Sequence, residues 1–342
     1  MAPSRQAGGN EWLALTSEEI LEPEMPICDP HHHFWIQRPE PVDYQQYLLE
    51  HLAADINSGH NVRSTVFVEA RSSYRTDGPE EMRSVGEVEF VQAIADASAT
   101  GQHGPGKAAH GIIGRADLKL GDAVRPVLEA LQEASPNRFR GIRHSVGWDP
   151  SPELDNREVE GCLLRDDYRN GARVLADMGH VLENSLYFPQ LDELASFAKA
   201  VPEVTIVLNH LGGFCRIGPY ANHDEDVMAQ WRRGIAAVAD CPNIVMKLGG
   251  IGMPRTGFDW HDRETPVGSE EIAQSIAPML DYLIEQFSPA RCMFESNFPV
   301  DKVSFSYHVL FNAFKRVSAA YSPSERADMF HDTAARVYRL DY

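Results

Sequence analysis

Residues 27–35 read ICDPHHHFW. A short apolar start, an Asp-Pro step and three consecutive histidines end what reads as a β-strand. Along a strand, residues i and i+2 project to the same side. His31 and His33 therefore share one face and His32 takes the other. Two imidazoles side by side form half of a zinc site. Without a metal they are suited to polarising a carbonyl oxygen.

The same kind of unit recurs along the chain. Short apolar or β-branched runs stand at PICD (26–29), STVFVEA (64–70), HGIIGRADL (110–118), FRGIRHSV (139–146), HVLENSLY (180–187), VTIVLNH (204–210), NIVMKLG (243–249) and RCMFES (291–296). Between them, helical spacing predicts helices near 43–56, 80–99, 121–134, 157–178, 189–200, 224–240, 269–287 and 304–320. A last helix is expected over 323–340, with Ser322 or Ser324 as its cap. Eight strands alternating with eight helices is the pattern of a (β/α)8 TIM barrel, an α/β fold. No linker-like stretch and no internal repeat divides the chain. The expected organisation is an N-terminal extension over 1–25 and a single barrel domain over 26–342.

The 342 residues include 43% hydrophobic and 24% charged, with a formal net charge of −19, as in an ordinary globular protein of acidic surface. That charge argues against nucleic acid or an anionic membrane as partner. A small-molecule substrate is expected, with a homodimer as an option. Five cysteines, widely spaced and without a CxxC, read as free buried thiols. They suit a reducing compartment, and the N-terminal stretch has no apolar core of a secretory signal, so a cytoplasmic location is expected. The chain has no P-loop, no GxSxG elbow and no run of the ~20 apolar residues that a membrane span needs.

A barrel carries its active site at the C-terminal strand ends. The residues there are Asp29, His31 and His33; Glu69 and Arg71; Arg115 and Asp117; Arg143 and His144; Glu183; Asn209 and His210; Lys247; then Glu295, Asn297 and Asp301. Burying so many ionisable groups is costly unless they pair or act. In the loops, Tyr74, Arg75, Trp148, Phe258, Trp260 and His261 stand where they would wall or cover a substrate.

DPHHHFW, FRGIRH, VTIVLNHLGG, NIVMKLGG and RCMFESNFPVDK resemble the amidohydrolase-related, metal-dependent hydrolase barrels, on the branch of sugar lactonases and pyrone-dicarboxylate lactonase. The resemblance runs from about Pro26 to Leu340 and implies roles. His31 and His33 match the first-strand HxH, His210 the sixth-strand histidine, and Arg143 a substrate-binding arginine. Asn297 falls where many relatives carry an aspartate that acts as general base or metal ligand. An amide can do neither well. A divalent metal (Zn or Mn) held by His31, His33 and His210 is then weakly bound or absent, and Glu295 is the substitute carboxylate.

The leading expectation is a hydrolase acting on a small carboxylated lactone or related ester. In it His31, His33 and His210 polarise the carbonyl, and Glu295 activates water (Asp301 or Glu183 less so) while Asn297 orients it. Arg143, His144, Glu69, Lys247, Tyr74 and Trp260 are the expected substrate contacts. The alternatives are a metal-dependent non-oxidative decarboxylase and a ligand-binding barrel without catalysis.

Overall fold

The computed structural model describes residues 9–37 and 46–341. Eight parallel strands run in sequence order: β1 (Pro26–His32), β2 (Asn61–Val68), β3 (Lys107–Gly114), β4 (Phe139–Arg143), β5 (Val181–Asn184), β6 (Ile206–Leu208), β7 (Ile244–Leu248) and β8 (Cys292–Phe294). The ends of β8 and β1 also meet. The Asn297 N–H donates to the His31 carbonyl at 2.9 Å, and the His33 N–H to the Phe298 carbonyl at 2.8 Å. The expected TIM barrel is therefore the fold.

Helices cover the outside over Leu49–Ile56, Val85–Ala99, Arg125–Ala134, Asp166–Asp177, Leu191–Ala200, Asp224–Ala239, Ser269–Phe287 and Tyr307–Val317. Two expectations need correction. The helix expected from 157 starts only at Asp166, because Gly161 is left-handed (φ 68°) and Arg165 extended. The last helix is not continuous: Ser322 caps a first piece, Pro323–Ala327, and a π turn over Asp328–Asp332 precedes Thr333–Val337. Part of the helix expected over 43–56 lies outside the described residues.

The inner face of the barrel changes character along its axis. Cys28, Val66, Val68, Ile113, Val181, Val207, Val245 and Met293 form an apolar layer, sealed from the N-terminal end by Ala334, Tyr338 and Leu340. Two residues further along four of these strands stand Glu183, Asn209, Lys247 and Glu295. The period of two keeps them on the same inner face, so a polar layer rests on the apolar one. Gly141 leaves the space this layer needs: a Cβ there would lie 2.1 Å from the Val181 carbonyl oxygen.

Residues of the N-terminal extension lie along the outer helices. Thr16 donates to the Pro266 carbonyl at 2.7 Å, and Lys315 to that of Leu21 at 2.7 Å. All five cysteines are free and buried. Among the described residues no helix is long and apolar enough to cross a membrane.

Tyr338 links the sealing segment to the polar layer, its hydroxyl donating to Glu183 Oε1 at 2.6 Å with both side chains buried. A hydrogen bond to a charged acceptor contributes about 1.5–3 kcal/mol. Tyr338→Phe is expected to lower the unfolding free energy by about 2 kcal/mol, read as a lower urea midpoint at unchanged slope.

Candidate active site

At the centre of the barrel mouth is a closed network. Lys247 Nζ donates to Glu183 Oε1 and Oε2 at 2.9 and 2.8 Å and to the Pro30 carbonyl at 2.8 Å. Asn209 Nδ2 donates to Glu183 Oε2 at 2.9 Å. None of these side chains reaches solvent, so the charges must satisfy each other.

On this floor stand the histidines. Pairing of β1 with β2 slips between Asp29 and His32, so the strand changes phase. Cys28 faces the barrel interior, and after the slip His31 and His33 do so too. His32 turns outward, its Nε2 lying 2.8 Å from Thr65 Oγ1. His31 Nδ1 lies 3.2 Å from Lys247 Nζ, and its Nε2 3.3 Å from Arg143 Nη1. Burial, then the charges of Lys247, His210, His33 and Arg143, hold His31 well below the usual imidazole range.

Glu295 joins two of these rings. Its Oε1 accepts from the His210 backbone N–H at 3.1 Å and lies 2.8 Å from His210 Nδ1. Its Oε2 lies 2.7 Å from His31 Nδ1, a contact that is not an aligned hydrogen bond and leaves Oε2 without an aligned donor. Burial pushes Glu295 up to about 7, against the pull of Lys247, the His210 N–H, Arg143 and Arg255. Lys247 and Arg143 pair with Glu183 and Glu69 rather than with Glu295.

Arg143 is likewise partly committed. Its Nε donates to Glu69 Oε1 at 3.0 Å and its Nη2 to the Glu69 carbonyl. One edge of the guanidinium is therefore taken, and Nη1 is left towards His31. Behind Glu69 lies Glu87, whose Oε1 accepts from the Ala70 and Ser72 N–H groups at 3.0 and 2.8 Å. On the far side, His33 Nδ1 donates to the Val68 carbonyl at 2.8 Å, and its Nε2 faces Asn297 Oδ1 at 3.3 Å. Asn297 Nδ2 donates to Asp301 Oδ1 at 2.7 Å.

A cavity of 640 Å³ opens above these groups. His33, Glu69, Arg71, Arg143, His210 and Asn297 line it, with Trp35, Leu186, Tyr187, Ile217, Met253 and Val300 as apolar walls. A groove of 870 Å³ at the opposite end of the barrel, along Met25, Arg63 and Tyr321, is larger but lies away from the strand C-termini.

Four expected substrate contacts do not line the cavity. His144 follows inward-facing Arg143 and so points outward, its Nδ1 accepting from the Leu118 N–H at 3.3 Å. Lys247 lies beneath the cavity floor. Tyr74 has a buried hydroxyl without a partner among the described residues, and Trp260 is stacked on Phe258 at 4.3 Å. Glu295 and His31 are also wholly buried, behind the lining. The residue that sequence reasoning missed is Arg255. It lines the cavity, and its buried Nε has no partner among the described residues. Its only sequence signal is a cation in the glycine-rich loop after β7.

His31, His210 and Glu295 have donor atoms within 4.8 Å of one another, a set that suits zinc. The unpartnered Oε2 fits such a role. The proton inventory does not. A neutral imidazole has one lone pair, and both nitrogens of His31 already face cations that only donate, Lys247 and Arg143. As arranged, the set does not fit a tightly held dication. The second cluster, His144 with Glu158 and Cys162, fails similarly: Nδ1 accepts from Leu118, so Nε2 carries the proton.

The sequence model of the family described as Amidohydrolase matches residues 28–340. An uncharacterized protein of Sinorhizobium fredii is 30% identical over 334 residues, covering 93% of this chain and 99% of its own. The L-fucono-1,5-lactonase of Burkholderia multivorans is 26% identical over 230 residues, 67% of this chain and 71% of its own. Among solved structures, an amidohydrolase of Burkholderia multivorans with bound zinc superposes with a TM-score of 0.70 at 23% identity, over 92% of this chain and 99% of that one. The 2,6-dihydroxybenzoate decarboxylase from Rhizobium shares the barrel at a TM-score of 0.53 and 11% identity, over 93% and 99%. The fold thus hosts more than one chemistry.

Burial and the neighbouring negative Glu69 push Glu87 up to about 8. A carboxyl raised in the folded state contributes stability that is fully present below its unfolded value and is lost as pH rises through the folded one. The window is therefore from the ordinary glutamate range up to about 8. Glu87→Gln keeps the Oε1 acceptor and removes the titration. Its melting temperature relative to the parent protein is expected to rise between pH 5 and about 8 and to level off above, as followed by thermal denaturation.

Proposed function

The chain belongs to the amidohydrolase family, and from that premise we propose that it hydrolyses a small anionic lactone or related ester. The observation that carries this reading is Arg255, a half-buried arginine whose buried Nε has no hydrogen-bond partner and which makes no ion pair among the described residues, on the wall of the same cavity as His33, His210 and Arg143. An unpaired buried cation is costly. A substrate carboxylate would satisfy it, with the charge-assisted geometry that arginine favours. Arg143, tied to Glu69, would present Nη1 to the developing oxyanion of the attacked carbonyl.

The cavity volume of 640 Å³ suits a mono- or bicyclic ring. Similarity to the L-fucono-1,5-lactonase, whose name gives a lactone as substrate, supports the cyclic ester. The decarboxylase alternative requires a metal, and the cations on both nitrogens of His31 count against one at this site. The intact set of polar groups in the mouth counts against a barrel that only binds.

A panel of carboxylated and neutral lactones, followed by proton release, tests the reading. Turnover is expected for carboxylated rings. Arg255→Met is expected to raise KM about 10- to 100-fold for those and little for neutral ones, the size of a lost charged hydrogen bond. Equal effects on both sets would refute the carboxylate contact. Prolonged chelation is expected to leave turnover unchanged.

A further inference from the structure

Asn297 cannot take a proton from water, so hydrolysis here needs another base. We propose that His210, held by Glu295, is that base: a carboxylate–imidazole dyad in which Glu295 positions the ring and His210 touches the water. The inference rests on the hydrolytic reading above.

Glu295 itself is in the wrong place for the task. It is wholly buried and absent from the cavity lining, and its Oε1 is taken by two donors of His210. A carboxylate only accepts, so the proton of the neutral His210 ring sits on Nδ1. Nε2, across the ring, then carries the lone pair, has no hydrogen-bond partner among the described residues, and belongs to a side chain that lines the cavity. The ring cannot turn away. His210 is in the left-handed region (φ 54°), and Gly250 packs so closely that a Cβ there would lie 2.5 Å from Nδ1.

The other candidates fail one by one. His31 is wholly buried between Lys247 and Arg143. Asp301 is wholly buried, engaged by the Gly252 N–H at 2.7 Å and by Asn297. His33 donates Nδ1–H to the Val68 carbonyl, so that nitrogen is held by a neutral backbone acceptor and not by a carboxylate.

The charges around His210 suit a base at rest. Burial, then Arg255 and Arg143 across the cavity and Lys247 from β7, keep it neutral, opposed by Glu183 of β5. The His31 ring lies 4.6 Å away on β1, and Glu295 of β8 stabilises the imidazolium once formed. In the step, the water oxygen bonds to the carbonyl carbon as its proton passes to His210 Nε2, and the carbonyl electron pair moves onto oxygen. On collapse the ring C–O bond breaks and the imidazolium returns the proton to the departing alkoxide, giving a carboxylic acid and a hydroxyl. No co-reactant beyond water is required.

Two measurements test this. In imidazole nitrogen NMR of the wild-type protein, His210 is expected as the Nδ1–H tautomer, with a downfield Nδ1 proton that disappears in Glu295→Gln. An Nε2–H tautomer overturns the dyad whatever the substrate. In kinetics, His210→Ala is expected to lose about 10³-fold in kcat with KM within about threefold, and added imidazole to restore at least about tenfold. A His210→Ala protein with near-parental kcat beside an inactive Glu295→Gln would make Glu295 the base and overturn the assignment. If the wild-type protein turns over no lactone or ester, the hydrolytic reading and the base assignment fall together, while the tautomer still reports the dyad.

Discussion

The Lys247–Glu183 ion pair inside the barrel is the constraint on which the site rests. Both side chains are excluded from solvent, and Asn209, the Pro30 carbonyl and Tyr338 complete their hydrogen bonds. Breaking such a pair by removing one partner costs about 3–5 kcal/mol, because the other charge is stranded. Its position, directly above the apolar layer, is also what places an ammonium against His31.

From this floor outward the charges alternate. Lys247 is met by Glu183, Arg143 by Glu69, and the imidazoles of His31 and His210 flank Glu295. Arg255 departs from this pattern, with no ion pair and an unpartnered Nε among the described residues. An unpaired cation on the cavity wall is a stronger pointer to ligand charge than the arginine that the sequence made prominent. Arg143 is drawn back by Glu69, and its remaining edge faces the reacting centre rather than the substrate periphery.

Asn297 has a local consequence as well. The amide bridges Asp301 to His33 instead of carrying charge. Burial, opposed by the Gly252 N–H and Asn297, pushes Asp301 up to about 8, so this side of the mouth is close to neutral near pH 7. The carboxyl on the other side, Glu295, acts only through the rings it touches. A base one residue removed from its carboxylate is the natural outcome of that shift.

The barrel, its strand order and most of the polar groups of the mouth were legible in the sequence, because a period of two and strand-end position are local properties. The histidines of ICDPHHHFW were assigned to the correct faces for the same reason. What the sequence could not supply was pairing. Glu295 was expected to meet water and stands behind the cavity lining, against His31 and His210; His144 and Trp260 were expected as substrate contacts and are packed outside the cavity. Arg255 was overlooked because nothing in a loop sequence says which cation lacks a partner. Which strand ends touch across the barrel is set by closure and by the slip in β1, and only the closed tertiary structure decides them.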